Sequence, residues 1–176
     1  MPILVRPVRE QLEHDRVIRH LQAKLKRKYD VVVNIGEEKN AAVKSGTAVV
    51  YPDLVLNSTE KGRKLSGVIE VETGESVNHL EAMAQWTHLG RTRVPFHLYV
   101  PAGAVDIAKR LAADNSVTLS EIWSYHAIGD QIRFTLVHRA PTPAPRQARA
   151  AKPKVAAPAR PAKRAAPARK PAKRKK

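Results

Sequence analysis

The last 37 residues, 140–176, contain 13 Lys or Arg, 13 Ala, 8 Pro and no Asp or Glu. Proline every few positions removes backbone donors and breaks any helix, and Val155 is the one large aliphatic side chain there. Such a segment cannot bury enough apolar area to offset the conformational entropy of ordering it. It is expected to stay extended and disordered, which leaves residues 1–139 to build whatever folds. Those residues carry 19 bases and 16 acids, so most of the +16 charge of the chain sits in the tail. The chain divides into a nearly balanced domain, 1–139, and a basic tail, 140–176.

Hydrophobic residues make up 43% of the 176, enough for a sizeable core. Cys is absent, which excludes disulfide frameworks, thiolate-bound metal and cysteine nucleophiles. No apolar run approaches the roughly 20 residues of a membrane-spanning helix. Met1-Pro2-Ile3-Leu4-Val5-Arg6-Pro7 does not read as a secretory signal. The expectation is a soluble cytoplasmic protein.

Three uses of the tail compete: binding nucleic acid, solubilising the domain, or serving as an address, since Pro171-Ala172-Lys173-Arg174-Lys175-Lys176 also passes for a nuclear-localisation patch. Its composition resembles the Lys-, Ala- and Pro-rich tails of linker histones and some bacterial nucleoid proteins. A flexible polycation gains affinity for a polyanion by releasing condensed counterions, without reading sequence. The candidate nucleic-acid contacts are Lys152, Lys154, Arg160, Lys163, Arg164, Arg169, Lys170, Lys173, Arg174, Lys175 and Lys176. DNA is the expected partner, in a nucleoid or, in a eukaryote, a nucleus; charge does not distinguish it from RNA. Without apolar anchors or a lipidation motif, a membrane is not the expected partner.

Within the body, residues 7–28 read as a helix with Val8, Leu12, Val17, Leu21 and Leu25 on or near one face. Bases crowd its C-terminal end, where they suit the helix dipole. Strands are expected at 30–35, at 47–56 with Pro52 marking an edge or bulge, and at 64–73. Residues 37–46 read as a loop. A helix capped by Ser76 and running to Leu89, a strand at 95–100, a helix at 104–114 and strands at 121–126 and 131–138 complete the order α-β-β-β-α-β-α-β-β. This is an α/β (α+β) domain, a mixed sheet flanked by helices. No phosphate-binding glycine loop, His-Glu-x-x-His or Gly-x-Ser-x-Gly pattern occurs.

Hairpin pairing brings Asp53 beside Glu70 and Glu72, which share a face with Val68 while Ile69 and Val71 point the other way. Three carboxylates meeting at one end of a hairpin repel one another unless a cation sits among them, and oxygen ligands suit Mg2+ or Mn2+. The bland reading is a solvated strand face in which acids alternate with valine.

Pro52-Asp53, followed after 16 residues by Glu70-Val71-Glu72, on α-β-β-β-α-β, resembles the PD-(D/E)XK nuclease superfamily, the restriction-endonuclease-like fold. The resemblance implies an αβββαβ core over about 10–138 and a metal-dependent DNA phosphodiester hydrolase, an endonuclease. Asp53 and Glu70 would be metal ligands, and Glu72 would stand where the family usually has Lys. An acid of the first helix would complete the catalytic set: Glu13, in step with Val17, Leu21 and Leu25, or alternatively Glu10. Gln85 matches a polar position near the site in relatives. Members often pair to cut both strands, so a homodimer is compatible. With no Lys in the motif, Lys44, Lys61 and Lys64 are the neighbouring bases that could reach inward. The competing expectation is a non-catalytic DNA-binding or nucleoid-associated protein on the same fold.

Overall fold

The computed structural model describes residues 7–141. Helix α1, Val8–Leu25, buries His14, Val17, Ile18 and Leu21, an i, i+3, i+4, i+7 set that makes one stripe. Val8 and Leu12 are 79% and 66% exposed, contrary to the expected face. At about 100° per residue Leu12 lies about 180° and Val8 about 140° from Leu21, so they cannot share its side.

The main sheet has six strands in the order β1-β4-β5-β6-β7-β8. They are β1 Asp30–Val33, β4 Leu54–Asn57, β5 Leu65–Val71, β6 Phe96–Pro101, β7 Glu121–Ile128 and β8 Gln131–Arg139. β1–β4–β5 are antiparallel, β5–β6–β7 parallel, and β8 turns back antiparallel on β7. The parallel steps are made by two helical crossovers. One is α2, a run of His79–Glu81, a π-helical turn Ala82–Trp86 and Thr87–Leu89; the other is α3, Val105–Asp114. The architecture is mixed α/β, as expected. Among the described residues no helix is long and apolar enough to cross a membrane.

Two expectations in this region are corrected. The strand expected at 47–56 breaks at Pro52, and the loop expected at 37–46 contains a strand. β2, Val43–Ser45, and β3, Ala48–Val50, form a separate hairpin closed at Gly46, whose φ of +62° favours glycine. Asn34 holds this insertion: its amide nitrogen donates to the Ala41 (2.8 Å) and Pro52 (2.7 Å) carbonyls, and its oxygen accepts the Ala41 N–H. Ser76 does not cap α2; the Asn78 side chain does, accepting from the Glu81 N–H at 3.1 Å. Ser76 instead accepts from the Thr73 N–H at 2.7 Å, folding the chain back before the helix begins.

The sheet has a core on each side. α1 covers Leu54, Leu56, Ile69, Val71, Tyr99 and Tyr125. On the other side α2 and α3 pack Trp86, Leu89, Ala108 and Ala112 against Val55, Val68, Leu98 and Val100. β5 is therefore buried on both faces, which explains its near-continuous apolar reading around the glutamates. Replacing Leu21 with Ala is expected to cost about 2–5 kcal/mol, read as a lowered urea midpoint.

At the start of the parallel strands Glu121 accepts from Trp123 Nε1 (2.8 Å) and Arg139 Nε (2.8 Å), with His97 Nδ1 at 3.1 Å. Burial pushes the His97 imidazole below its ordinary value of 6.5, the Glu121 charge and hydrogen bond opposing this and Arg139 adding to it. The unfolded chain thus takes up a proton the folded one resists, so stability falls as pH drops below about 6.5. Urea unfolding at about pH 7 and about pH 5.5 should show this loss, and His97→Asn should remove it.

Candidate functional site

The site grows from one break in strand pairing. Leu54 pairs with Ile69, so the next pair along the ladder is Asp53 with Glu70. Pro52 precedes Asp53, and β4 has not yet begun. Here side chains replace the main-chain ladder. The Val71 N–H donates to Asp53 Oδ2 at 2.8 Å, and the Asp53 N–H donates to Glu70 Oε2 at 3.2 Å. On its other edge the Asp53 carbonyl accepts the Asn34 N–H at 2.9 Å. Asp53 is 8% exposed and Glu70 3%.

α1 lays its N-terminal half over this point. His14 Nε2 lies 3.1 Å from Asp53 Oδ2, and its Nδ1 lies 3.4 Å from Asp15 Oδ1. The imidazole is buried between two carboxylates. Glu10 accepts from the Thr73 hydroxyl, just past the end of β5. Glu13 is exposed at the edge of the helix face, its Oε1 3.4 Å from the Tyr125 hydroxyl. The geometry of a helix separates the two acids. Glu10 is about 20° from Val17 on the His14 side, whereas Glu13 is about 40° the other way.

Glu72 is fully buried on the opposite side of the site. Its Oε1 accepts from the Trp86 indole N–H at 2.8 Å, and its carbonyl from the Tyr125 hydroxyl at 2.8 Å. The π-helical turn 82–86 ends at Trp86; such turns shift a helix register locally and recur at functional sites. Gln85, half-buried, is the residue before that indole.

Asp53, Glu70 and Glu72 are thus all buried, which disposes of the solvated-face reading. Their arrangement differs from the expected single cluster. Asp53 and Glu70 interlock across β4 and β5, while the Glu72 carboxylate is bonded to α2. Among the described residues, no group of three or more His, Asp or Glu is gathered in the manner of a metal cage. Lys61 and Lys64 lie in the turn at the far end of the β4–β5 hairpin, about 20 Å of strand from Glu70, and do not reach in. Lys44 is exposed on β2. The tail bases from Lys152 to Lys176 lie outside the described residues.

His14, Thr73 and Tyr125 enter the site without having been expected there. His14 belongs to no His-Glu-x-x-His pattern, so no motif marks it as a site residue. Its i+3, i+4, i+7 spacing to Val17, Ile18 and Leu21 is the signal that places it inward.

No family model, curated protein or solved structure matches the chain.

The Trp86–Glu72 bond lies in a dry setting, where losing a hydrogen-bond partner is costly. Trp86→Phe, which keeps the ring and removes the donor, is expected to destabilise the fold by about 1–3 kcal/mol in urea titration.

Proposed function

We propose that the body is a metal-dependent phosphodiester hydrolase acting on DNA, with the basic tail raising its non-specific affinity. The observation that carries the reading is the interlocked, buried pair Asp53 and Glu70 with the His14 imidazole against Asp53. Burying carboxylates this close together is costly unless cationic charge offsets it.

The donors suit such an ion. Mg2+ is usually held by one or two carboxylates, keeping waters and taking substrate phosphate oxygens, so a closed protein cage is not required. Asp53 and Glu70 would supply those oxygens, and the His14 nitrogen at 3.1 Å from Asp53 Oδ2 would tilt preference toward Mn2+, which accepts imidazole more readily. The ion, when bound, would polarise the phosphoryl oxygen and lower the pKa of a bound water. The chain's own residues do the positioning. The Val71 amide fixes one oxygen of Asp53, and the Asp53 amide fixes one oxygen of Glu70. Glu10, tied to Thr73, and Glu13, with its Oε1 3.4 Å from the Tyr125 hydroxyl, extend the acidic set along α1. Glu72, bonded to Trp86, holds the β5 terminus against α2.

That same bond favours a second reading, a DNA-binding protein on this fold that does not hydrolyse its partner. Glu72 occupies the position of the usual lysine and is engaged by an indole, so the motif position brings no cation to a phosphate.

Nicking of supercoiled plasmid separates the two. The parent should cut with Mn2+ or Mg2+ and lose cutting with EDTA. Asp53→Ala and Glu70→Ala should each lower the rate at least about a hundredfold while DNA retention persists. Equal cutting by parent and both variants, or none by the parent with any divalent ion, defeats the hydrolase reading. His14→Ala should narrow the rate advantage of Mn2+ over Mg2+.

A further inference from the structure

Helix α1 carries two different chemistries along its length. Its first half holds Glu10, Glu13, His14 and Asp15 near the buried carboxylates. From residue 16 to 28 it and the following turn contain six Lys or Arg and no acid. The helix dipole accounts for bases in the last turn, because its effect fades within a turn of the terminus. Arg19, almost two turns earlier, needs another explanation.

Arg19 lines a groove with Gln22, Lys26, Tyr29, Asp30 and Thr59, between the flank of α1, the start of β1 and the β4–β5 turn. Arg19 and Lys26 are seven residues apart, hence on one face and about 10 Å apart along the axis. Two of the neighbouring bases, Lys24 and Lys28, are already engaged. Lys24 Nζ sits over the Trp123 and Phe134 rings at 5.7 and 5.3 Å, and Lys28 Nζ over Tyr29 at 5.2 Å. Asp30, the acid of the groove, is matched by Arg63 Nε at 3.4 Å. Among the described residues, Arg19 and Lys26 take part in no ion pair within 4.0 Å.

We infer that this groove is a binding site for the sugar–phosphate backbone of a nucleic acid, belonging to the body and independent of the tail. The inference rests on the reading above only in taking the partner to be nucleic acid. Two uncompensated cations on one helix face supply the charge, and the Gln22 amide and Thr59 hydroxyl supply neutral donors of the kind that contact phosphate oxygens. The lining is mixed, Ala23, Tyr29 and Val31 being interleaved with charged and polar side chains, which disfavours burial of a hydrophobic peptide or insertion into lipid. The groove lies at the end of the β4–β5 hairpin remote from Asp53 and Glu70, so it anchors backbone at a distance from the site rather than contributing to it.

The full-length chain tests this as Arg19→Ala/Lys26→Ala, with Lys109→Ala/Arg110→Ala on α3 as the charge-matched control. Each pair is also placed in a background in which Lys173, Arg174, Lys175 and Lys176 are Ala. Fluorescence anisotropy with a short labelled duplex is read across a salt series. The groove variant should bind about tenfold more weakly in both backgrounds, with the slope of log affinity against log salt shallower by about two. The control should stay within about twofold of its parent. Matching affinities and slopes for groove and control variants overturn the inference. So does retained duplex binding accompanied by loss of binding to phosphatidylserine vesicles, which would assign the groove to a membrane surface. Circular dichroism melts exclude unfolding, since both side chains are exposed. The outcomes stay separable from the hydrolase reading. A parent that never cuts plasmid sinks hydrolysis and leaves the groove intact, whereas unchanged affinity in a variant that still cuts sinks the groove alone.

Discussion

The bond from the Val71 amide to Asp53 Oδ2 is the point on which the rest of the site depends. It stands where strand pairing between β4 and β5 would otherwise end. Through its carbonyl, amide and carboxylate, Asp53 joins β1, β5 and α1 at a single residue. A buried backbone N–H must find an acceptor, and here the acceptor is ionisable. The sheet thus uses for its own closure a group that could also serve chemistry. That coupling explains how a carboxylate can be held almost out of solvent in a fixed direction: the sheet cannot form around Asp53 without orienting it.

The parts of this fold that were legible in the sequence are those set by periodicity. Val68, Glu70 and Glu72 alternate with Ile69 and Val71, and two-residue spacing places the two sets on opposite cores. Pairing of Asp53 with Glu70 followed from hairpin connectivity. What remained hidden was set by side-chain reach. Nothing in the spacing says that the Glu72 carboxylate finds the Trp86 indole, because that contact needs a π-helical turn whose register shift has no simple sequence signature. The β2–β3 hairpin was hidden for a related reason. Three-residue strands are too short to show alternation, and their position is fixed by the Asn34 side chain rather than by local propensity. α1 shows the same division: its stripe is periodic, yet Val8 and Leu12 break the pattern by sitting half a turn away.

α1 also sets the electrostatic character of the body. Its acidic and imidazole groups lie over the buried carboxylates, and its bases lie toward the opposite end of the β4–β5 hairpin. A body with a small net charge can thereby present distinct fields at its two ends, and local fields, more than net charge, steer a polyanion. A cationic groove remote from two carboxylates avoids pairing the charges internally. An Arg placed beside Asp53 would pair with its carboxylate and leave no room for the ion proposed there.

The same reasoning bears on Glu72. In the arrangement that the motif resembles, a lysine here would bring positive charge next to the reacting phosphate. A buried lysine beside Trp86 would face an indole N–H donor with an ammonium that is itself donor-only, leaving both hydrogens without an acceptor. A glutamate resolves that mismatch, since it accepts the indole bond directly. Trp86 and Glu72 are therefore a matched pair: the residue just past β5 matches the donor that α2 presents. Under the proposed function, charge stabilisation of a phosphate at this site would have to come from a bound ion and from cations elsewhere on the body. On that reading the acidic end of the hairpin and the basic groove at the other would divide the labour.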